Sequence, residues 1–228
     1  MKHLVVLTGA GVSAESGVKT FRDDNGLWEG HDVMQVATPE GFTQNPKLVL
    51  EFYNQRRRQL KEVQPNVAHQ ILADLENYFT VDIITQNVDD LHERAGSSKV
   101  THLHGELMKV KSIKDDNLVL DWDKDLNLGD FGPDGNQLRP NIVWFGEAVP
   151  KMQEAMEIVA KADLLVIIGT SMQVYPAAGL IDFAKPEIPI YFIDPKPAIK
   201  AQENLHIFAE KASTGMKKLK QILINTTL

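Results

Sequence analysis

An α/β fold on a Rossmann-like parallel sheet is predicted by three features of the sequence. Short runs of valine, isoleucine and leucine recur at 4–7, 81–84, 164–168 and 188–193. They do not alternate apolar with polar residues, which is the pattern of strands buried on both faces. Helical patterns lie between them at 46–63, 66–78 and 150–162, and strands alternating with helices build parallel sheets. The first apolar run leads straight into Gly9-Ala10-Gly11-Val12-Ser13-Ala14. Such a strand–glycine–helix junction is where a dinucleotide fold holds a pyrophosphate.

With 228 residues, the chain can bury one full core, as a single domain of one large and one small lobe. The formal charge of −7 disfavours nucleic acid as a partner, since that role needs a basic surface. No run approaches the roughly 20 apolar residues of a membrane span. The first residues enter a strand pattern without the charged start, long apolar core and cleavage site of a signal peptide, which predicts a cytoplasmic location. The sequence has no cysteine, so disulfides and thiolate metal sites are excluded.

Taken in order, the first strand covers 4–7. Gly9 and Gly11 match the first two positions of a G-x-G-x-x-G pattern, Ala14 stands at the third, and a helix is expected after the turn. Phe21-Arg22 then places a guanidinium near the phosphate turn; a surface arginine is the plainer alternative. Residues 23–63 read as a polar loop and a long helix without a sheet strand. On that helix Val49, Phe52, Arg56, Leu60 and Val63 form one stripe with Tyr53 at its edge. An arginine amid apolar residues needs a partner. Tyr53 and Arg56, at i and i+3, make a candidate carboxylate receptor; pairing with a structural acid and snorkelling to water are the alternatives. Arg57 and Arg58 read as a solvated face near the helix end.

The strand at 81–85 ends in Gln86-Asn87-Val88-Asp89. Polar residues past the carboxyl end of a strand are where open α/β folds gather ligand contacts; a helix cap by Asn87 or Asp89 is compatible with that role. His102 and His104 share a face if extended. No third ligand stands nearby, so a general base at His104, beside Gly105, is preferred to a metal pair. Residues 106–140 carry β-like pieces at 107–113 and 118–122 among Asp, Asn and Gly turn signals. With 23–63 they form the small lobe, leaving about 1–22, 64–105 and 141–228 to the large one. Asn141 to Glu147 reads as a buried strand or as an edge strand pairing with a peptide. Gly169-Thr170-Ser171 closes one strand with small hydroxyl residues, and Asp194 closes the next, where an acid is the usual ribose partner. A last helix begins after Ser213, with Met216, Leu219, Ile222 and Leu223 on one side.

The glycine-rich stretch 9–17 with Phe21-Arg22, Thr85-Gln86-Asn87-Val88-Asp89, His102-Leu103-His104-Gly105, Val143-Trp144-Phe145-Gly146-Glu147 and Gly169-Thr170-Ser171 together resemble the sirtuins. The motifs stand in family order across nearly the whole chain. The resemblance implies NAD-dependent removal of acyl groups from protein lysines. It implies that Gly9, Ala10, Gly11, Ser13, Glu15, Phe21 and Arg22 bind the NAD phosphates and nicotinamide end. Gln86, Asn87, Val88 and Asp89 would hold the nicotinamide ribose and a water, with Asn87, Asp89 and the base His104 catalytic. Gly169, Thr170, Ser171, Ile193, Asp194 and Ala212 would meet the adenosine side. Val143, Phe145, Gly146 and Glu147 would pair with the substrate backbone and line the acyl-lysine tunnel. In the implied reaction the acyl oxygen attacks ribose C1′ as nicotinamide leaves, and water later releases lysine and O-acyl-ADP-ribose.

Ala37-Thr38-Pro39 and Tyr53-Asn54-Gln55-Arg56 are similar to the branch that removes malonyl and succinyl groups. There the alanine widens the acyl pocket and the Tyr–Arg pair reads the acyl carboxylate. Two departures stand out. The family's zinc cysteines are missing, so no zinc is expected, and solvated turns are preferred to a carboxylate ion site in 107–140. Phe192 stands where the family has Asn, two residues before the strand-end acid. The expected partners are acyl-lysine proteins or peptides, and the expected state is a monomer. An NAD glycohydrolase or mono-ADP-ribosyltransferase on the same site, and a non-catalytic NAD-binding module, are the competing readings.

Overall fold

The structure is a computed structural model, and it describes residues 1–18, 27–28, 30–199 and 203–225. Strand β1 (His3–Thr8) is followed by two single turns of 3-10 helix, Ala10–Val12 and Ala14–Ser16. Then come β2 (Leu27–Trp28), β3 (His31–Asp32), α1 (Val33–Val36), α2 (Pro39–Gln44), α3 (Pro46–Glu62), α4 (Val67–Leu75), β4 (Thr80–Thr85), α5 (Leu91–Arg94) and β5 (Val100–His102). They lead into β6 (Gly105–Ser112), β7 (Val119–Asp121), β8 (Leu138–Ile142), α6 (Met152–Ala160) and β9 (Leu164–Ile168). A 3-10 segment (Ala177–Phe183), β10 (Ile190–Ile193), β11 (Leu205–Phe208) and α7 (Ala212–Asn225) complete the described chain.

Six strands form a parallel sheet in the order β11-β10-β9-β1-β4-β5. This is the doubly wound arrangement predicted from the sequence. The four central residues of β1 are all fully buried, which is why the run is continuously apolar. Leu4 and Val6 pack with Leu72 and Leu75 of α4 and with Met216 and Leu219 of α7. Val5 and Leu7 pack on the other face with Ala155 and Val159 of α6 and with Leu180. No helix among the described residues is long and apolar enough to cross a membrane.

Several local expectations change. The segment after Gly11 is two 3-10 turns rather than a helix, and Gly17, at φ +94°, ends them in the left-handed region. The strand expected over 141–147 runs instead over Leu138–Ile142, and Val143 to Glu147 continue beyond it without pairing as a strand. β11 is a short edge strand interrupted by His206, too brief for its pattern to stand out. Ile222 sits at the exposed margin of the α7 stripe, and Leu223 carries the core contact there.

Arg57 differs most from expectation. It is only 1% exposed, because α3 packs in two clusters, one with α1, Leu91, Leu107, Ile142 and Trp144 and one with Val110, Leu126 and Leu138 around the small antiparallel sheet β7-β6-β8. Its Nε donates to Leu107 O (3.1 Å) and its Nη1 to Asn54 Oδ1 (2.8 Å). Burial pushes its pKa down to about 10, so it stays charged at neutral pH. Asn54 both donates to Leu126 O (3.0 Å) and accepts from Leu126 N (2.8 Å). Asn54→Ala is therefore expected to strand an arginine N–H and both polar groups of Leu126, lowering stability by about 2–3 kcal/mol in urea unfolding. Arg58, by contrast, is exposed and bridges Glu51 and Asp125.

Three acidic residues of 106–140 cap turns. Asp115 accepts from Asn117 N, Asp130 from Asn127 N, and Asp134 from Ser112 Oγ and Asn136 N. Among the described residues no group of three or more His, Cys, Asp or Glu is placed to hold a metal.

Candidate active site

A cleft of about 690 Å³ opens at the carboxyl ends of β1, β4, β9 and β10, on the side of the sheet where the connection order reverses and ligands bind. Gly9, Ala10, Gly11 and Glu15 line it with Gln86 to Asp89, His104, Gly169 to Ser171, Ile193, Asp194 and Ala212. Ala37, Tyr53, Arg56 and Val143 to Glu147 also line it. Ser13 lies beneath, fully buried. Phe21 and Arg22 lie outside the described residues.

The floor is made where two glycine turns meet. Gly9 N donates to Ile168 O (3.0 Å) and Gly11 N to Gly169 O (2.8 Å). A Cβ on Gly11 would come within 2.7 Å of Gly169 Cα, so the turns can touch only as bare backbone. The glycine N–H groups thus join the two strand ends, rather than facing a phosphate as the motif alone suggests.

A directed set of hydrogen bonds lies under this floor. Asn66 N donates to His69 Nδ1 (3.3 Å) in the capping box of α4. That leaves the ring proton on Nε2, 3.4 Å from Ser13 Oγ. Ser13 Oγ also accepts from Asn87 Nδ2 (3.1 Å) and donates to Asp89 Oδ2 (3.0 Å). Burial lowers the His69 pKa to about 4 and raises that of Asp89 to about 6. His69 was not singled out from the sequence; the signal was Asn66 with His69 three residues on, at a helix start.

His104 and His102 clamp the backbone after β4. His104 Nδ1 donates to Gln86 O (3.0 Å), so its Nε2 keeps the lone pair of a base. Burial holds its pKa below the usual histidine value. His102 reaches Asn87 O (3.0 Å) and the Glu93 carboxylate (2.7 Å). Burial opposes its charge, but Glu93 outweighs this and raises its pKa. With both His102 nitrogens engaged in this way, the pair does not face a common ion. Protonation of His104 removes the lone pair, and protonation of Asp89 below about pH 6 removes an acceptor from Ser13. The pH profile of kcat/KM is therefore expected to stay flat through neutrality and fall on the acid side near or below pH 6.

Other expected residues have internal partners. Glu15 Oε2 accepts from Ser213 N at the start of α7 (2.8 Å). Gln86 Nε2 donates to Thr170 Oγ1 (3.2 Å), and Asp194 Oδ1 accepts from Lys196 N (2.9 Å). Phe192 is in the core cluster with Leu165 and Ile167, so the position holds packing rather than a polar contact.

Tyr53 is fully buried among Val36, Ala37 and Trp144. Its hydroxyl accepts from Trp144 Nε1 (3.0 Å), and burial raises its pKa, so it stays protonated. Arg56 is half-buried, its guanidinium 4.5 Å from the centre of the Phe52 ring. Val143 N donates to His104 O and Phe145 N to Ala37 O, both at 2.9 Å. Glu147 faces inward and binds Arg139 through both oxygens at 2.8 Å.

The Sir2 family pattern matches residues 9–176. A Helicobacter pylori protein called an NAD-dependent protein deacylase is 61% identical over 225 residues, covering 98% of each chain. A Bacteroides thetaiotaomicron protein of the same name is 54% identical over 98% of this chain and 99% of its own. The solved complex of a Sir2 homologue with NAD superposes with a TM-score of 0.88 at 38% identity, covering 100% of this chain and 91% of that one. The family pattern spans most of the chain and the relatives match it over nearly their whole length, so the chain belongs to the Sir2 family.

Proposed function

We propose that the chain is an NAD-dependent protein-lysine deacylase that transfers the acyl group to ADP-ribose, and that it favours acyl groups ending in a carboxylate. The observation that carries the preference is the Tyr53–Arg56 pair: a protonated phenol and a guanidinium, three residues apart on α3, line one cleft with His104. A phenol donor beside a guanidinium suits a carboxylate. Ala37 lines the same cleft, and its small side chain is assigned to widen the acyl pocket.

The cleft suits NAD by its size, its position at the strand ends and its glycine floor. NAD, when bound, supplies an electrophilic ribose carbon with nicotinamide as its leaving group. Ala10 and Gln86 to Asp89 are assigned to its phosphate and nicotinamide end, and Gly169 to Ser171, Asp194 and Ala212 to the adenosine side; Gly11, whose N–H is taken by Gly169 O, and Ser13, buried beneath the floor, support that wall instead. Ser13 and Asp89 fix the amide of Asn87 through the hydrogen bonds beneath the floor. His104 takes a hydroxyl proton at Nε2. The backbone of Val143 to Glu147 is assigned to the substrate peptide. The division into a large lobe and a small lobe formed by 23–63 and 106–140, the cytoplasmic location and the monomeric state belong to the same reading.

The test is mass spectrometry of matched acetyl-lysine and succinyl-lysine peptides, each with and without NAD. NAD-dependent loss of succinyl ahead of acetyl is expected. Loss of acetyl alone removes the carboxylate preference. Nicotinamide release without any acyl peptide points to glycohydrolase or ADP-ribosyl transfer.

A further inference from the structure

Beside the cleft, four side chains connect in series. Glu147 grips Arg139 through a two-bond fork, both contacts at 2.8 Å. Its Oε2 also accepts from Trp144 N (2.8 Å). The Arg139 guanidinium carbon sits 3.7 Å from the centre of the Trp144 ring. Trp144 Nε1 then donates to Tyr53 Oη (3.0 Å). The arrangement is well buried, with Trp144 at 2% and Tyr53 at 0% exposure.

The direction of the last bond matters. An indole N–H can only donate, so Tyr53 Oη must accept. The phenol hydrogen is then directed away from Trp144, and Tyr53 serves as a donor to whatever else it meets. The indole itself is fixed in three ways: its backbone N–H by Glu147, its ring face by Arg139, and its ring N–H by Tyr53. Burial opposes the Glu147 charge, but the Arg139 and Trp144 bonds outweigh it and hold its pKa low, so the fork persists at neutral pH.

We infer that Trp144 and Arg139 are positioning residues for acyl-group selection, orienting the Tyr53 hydroxyl as a hydrogen-bond donor to an acyl carboxylate. Glu147 acts in this arrangement through its side chain as the anchor of Arg139. The inference rests on the carboxylate reading of Tyr53 and Arg56 and adds the residues that hold the first of them in its donor state.

The experiment measures kcat and KM for matched succinyl-lysine and acetyl-lysine peptides in the parent protein, Tyr53→Phe, Trp144→Phe, Arg139→Lys and the Tyr53→Phe/Trp144→Phe double variant. Trp144→Phe keeps an aromatic ring but removes the N–H. It is expected to lower the succinyl-to-acetyl ratio of kcat/KM about tenfold, through the succinyl KM. Arg139→Lys, which keeps the charge and loses the fork and the stack, is expected to shift the ratio the same way. In the Tyr53→Phe background, Trp144→Phe is expected to change the ratio no further. Proportional loss with both peptides in Trp144→Phe and Arg139→Lys would show a merely structural role and overturn the inference. A ratio that depends on Tyr53 but not on Trp144 or Arg139 overturns it while leaving the carboxylate reading intact. A ratio insensitive to Tyr53→Phe overturns both. If Trp144→Phe does not fold, the Arg139→Lys ratio decides.

Discussion

Replacing His104 with alanine is expected to lower kcat by about 10²–10⁴-fold while the protein still folds and binds peptide, the range typical of a lost general base. The imidazole is set for this role by its surroundings. Its Nδ1 proton is engaged by Gln86 O at 3.0 Å, so the proton-accepting atom is Nε2. Burial depresses its pKa, so the neutral ring dominates at pH 7. The lost bond to Gln86 is a single neutral one, worth about 1 kcal/mol, which a domain of this size can lose without unfolding. Single-turnover rates, with peptide binding by calorimetry and a thermal melt as controls, check the prediction. Turnover within a few fold of the parent would remove His104 from the proton transfer.

Much of this site was legible because strand ends and glycines leave strong local marks. The buried runs fixed four sheet strands, and Gly9, Gly11 and Gly169 marked where two of them end in contact. Tyr53 and Arg56 line one cleft wall, as their i and i+3 spacing on one helix allows, whereas their carboxylate role came from the family resemblance. Arg57 was misread because helical periodicity locates one buried face, and α3 packs in two clusters, one around Leu91 and Trp144 and one around Val110 and Leu126. His69 was missed because its partners, Ser13 and Asn66, combine a short-range cap with a contact 56 residues away. Glu147 was assigned to the substrate because its motif names it, whereas its side chain turns to Arg139, a residue no motif marked. Register and long-range polar pairing depend on tertiary neighbours, and a single sequence carries little trace of them.

Arg56→Met is the second large effect. It is expected to reduce kcat/KM for succinyl and malonyl peptides about 10- to 100-fold, and to reduce it far less for acetyl peptides. The magnitude follows from losing a charge-assisted hydrogen bond, worth about 1.5–3 kcal/mol, to a carboxylate in a partly enclosed cleft. Methionine fills similar apolar space, so the contact with the Phe52 ring one helical turn away within α3 changes little, and Arg57 still holds the helix to Leu107. Arg56→Lys separates charge from geometry: a point charge without the planar fork is expected to restore only part of the loss. The acyl carboxylate should also make the succinyl KM rise with salt, while the acetyl KM stays nearly constant. Matched peptide kinetics at low and high ionic strength read all three effects at once. Equal loss with acetyl and succinyl peptides in Arg56→Met would mean that the arginine supports the fold of the cleft, and that the selectivity of the pocket has another source.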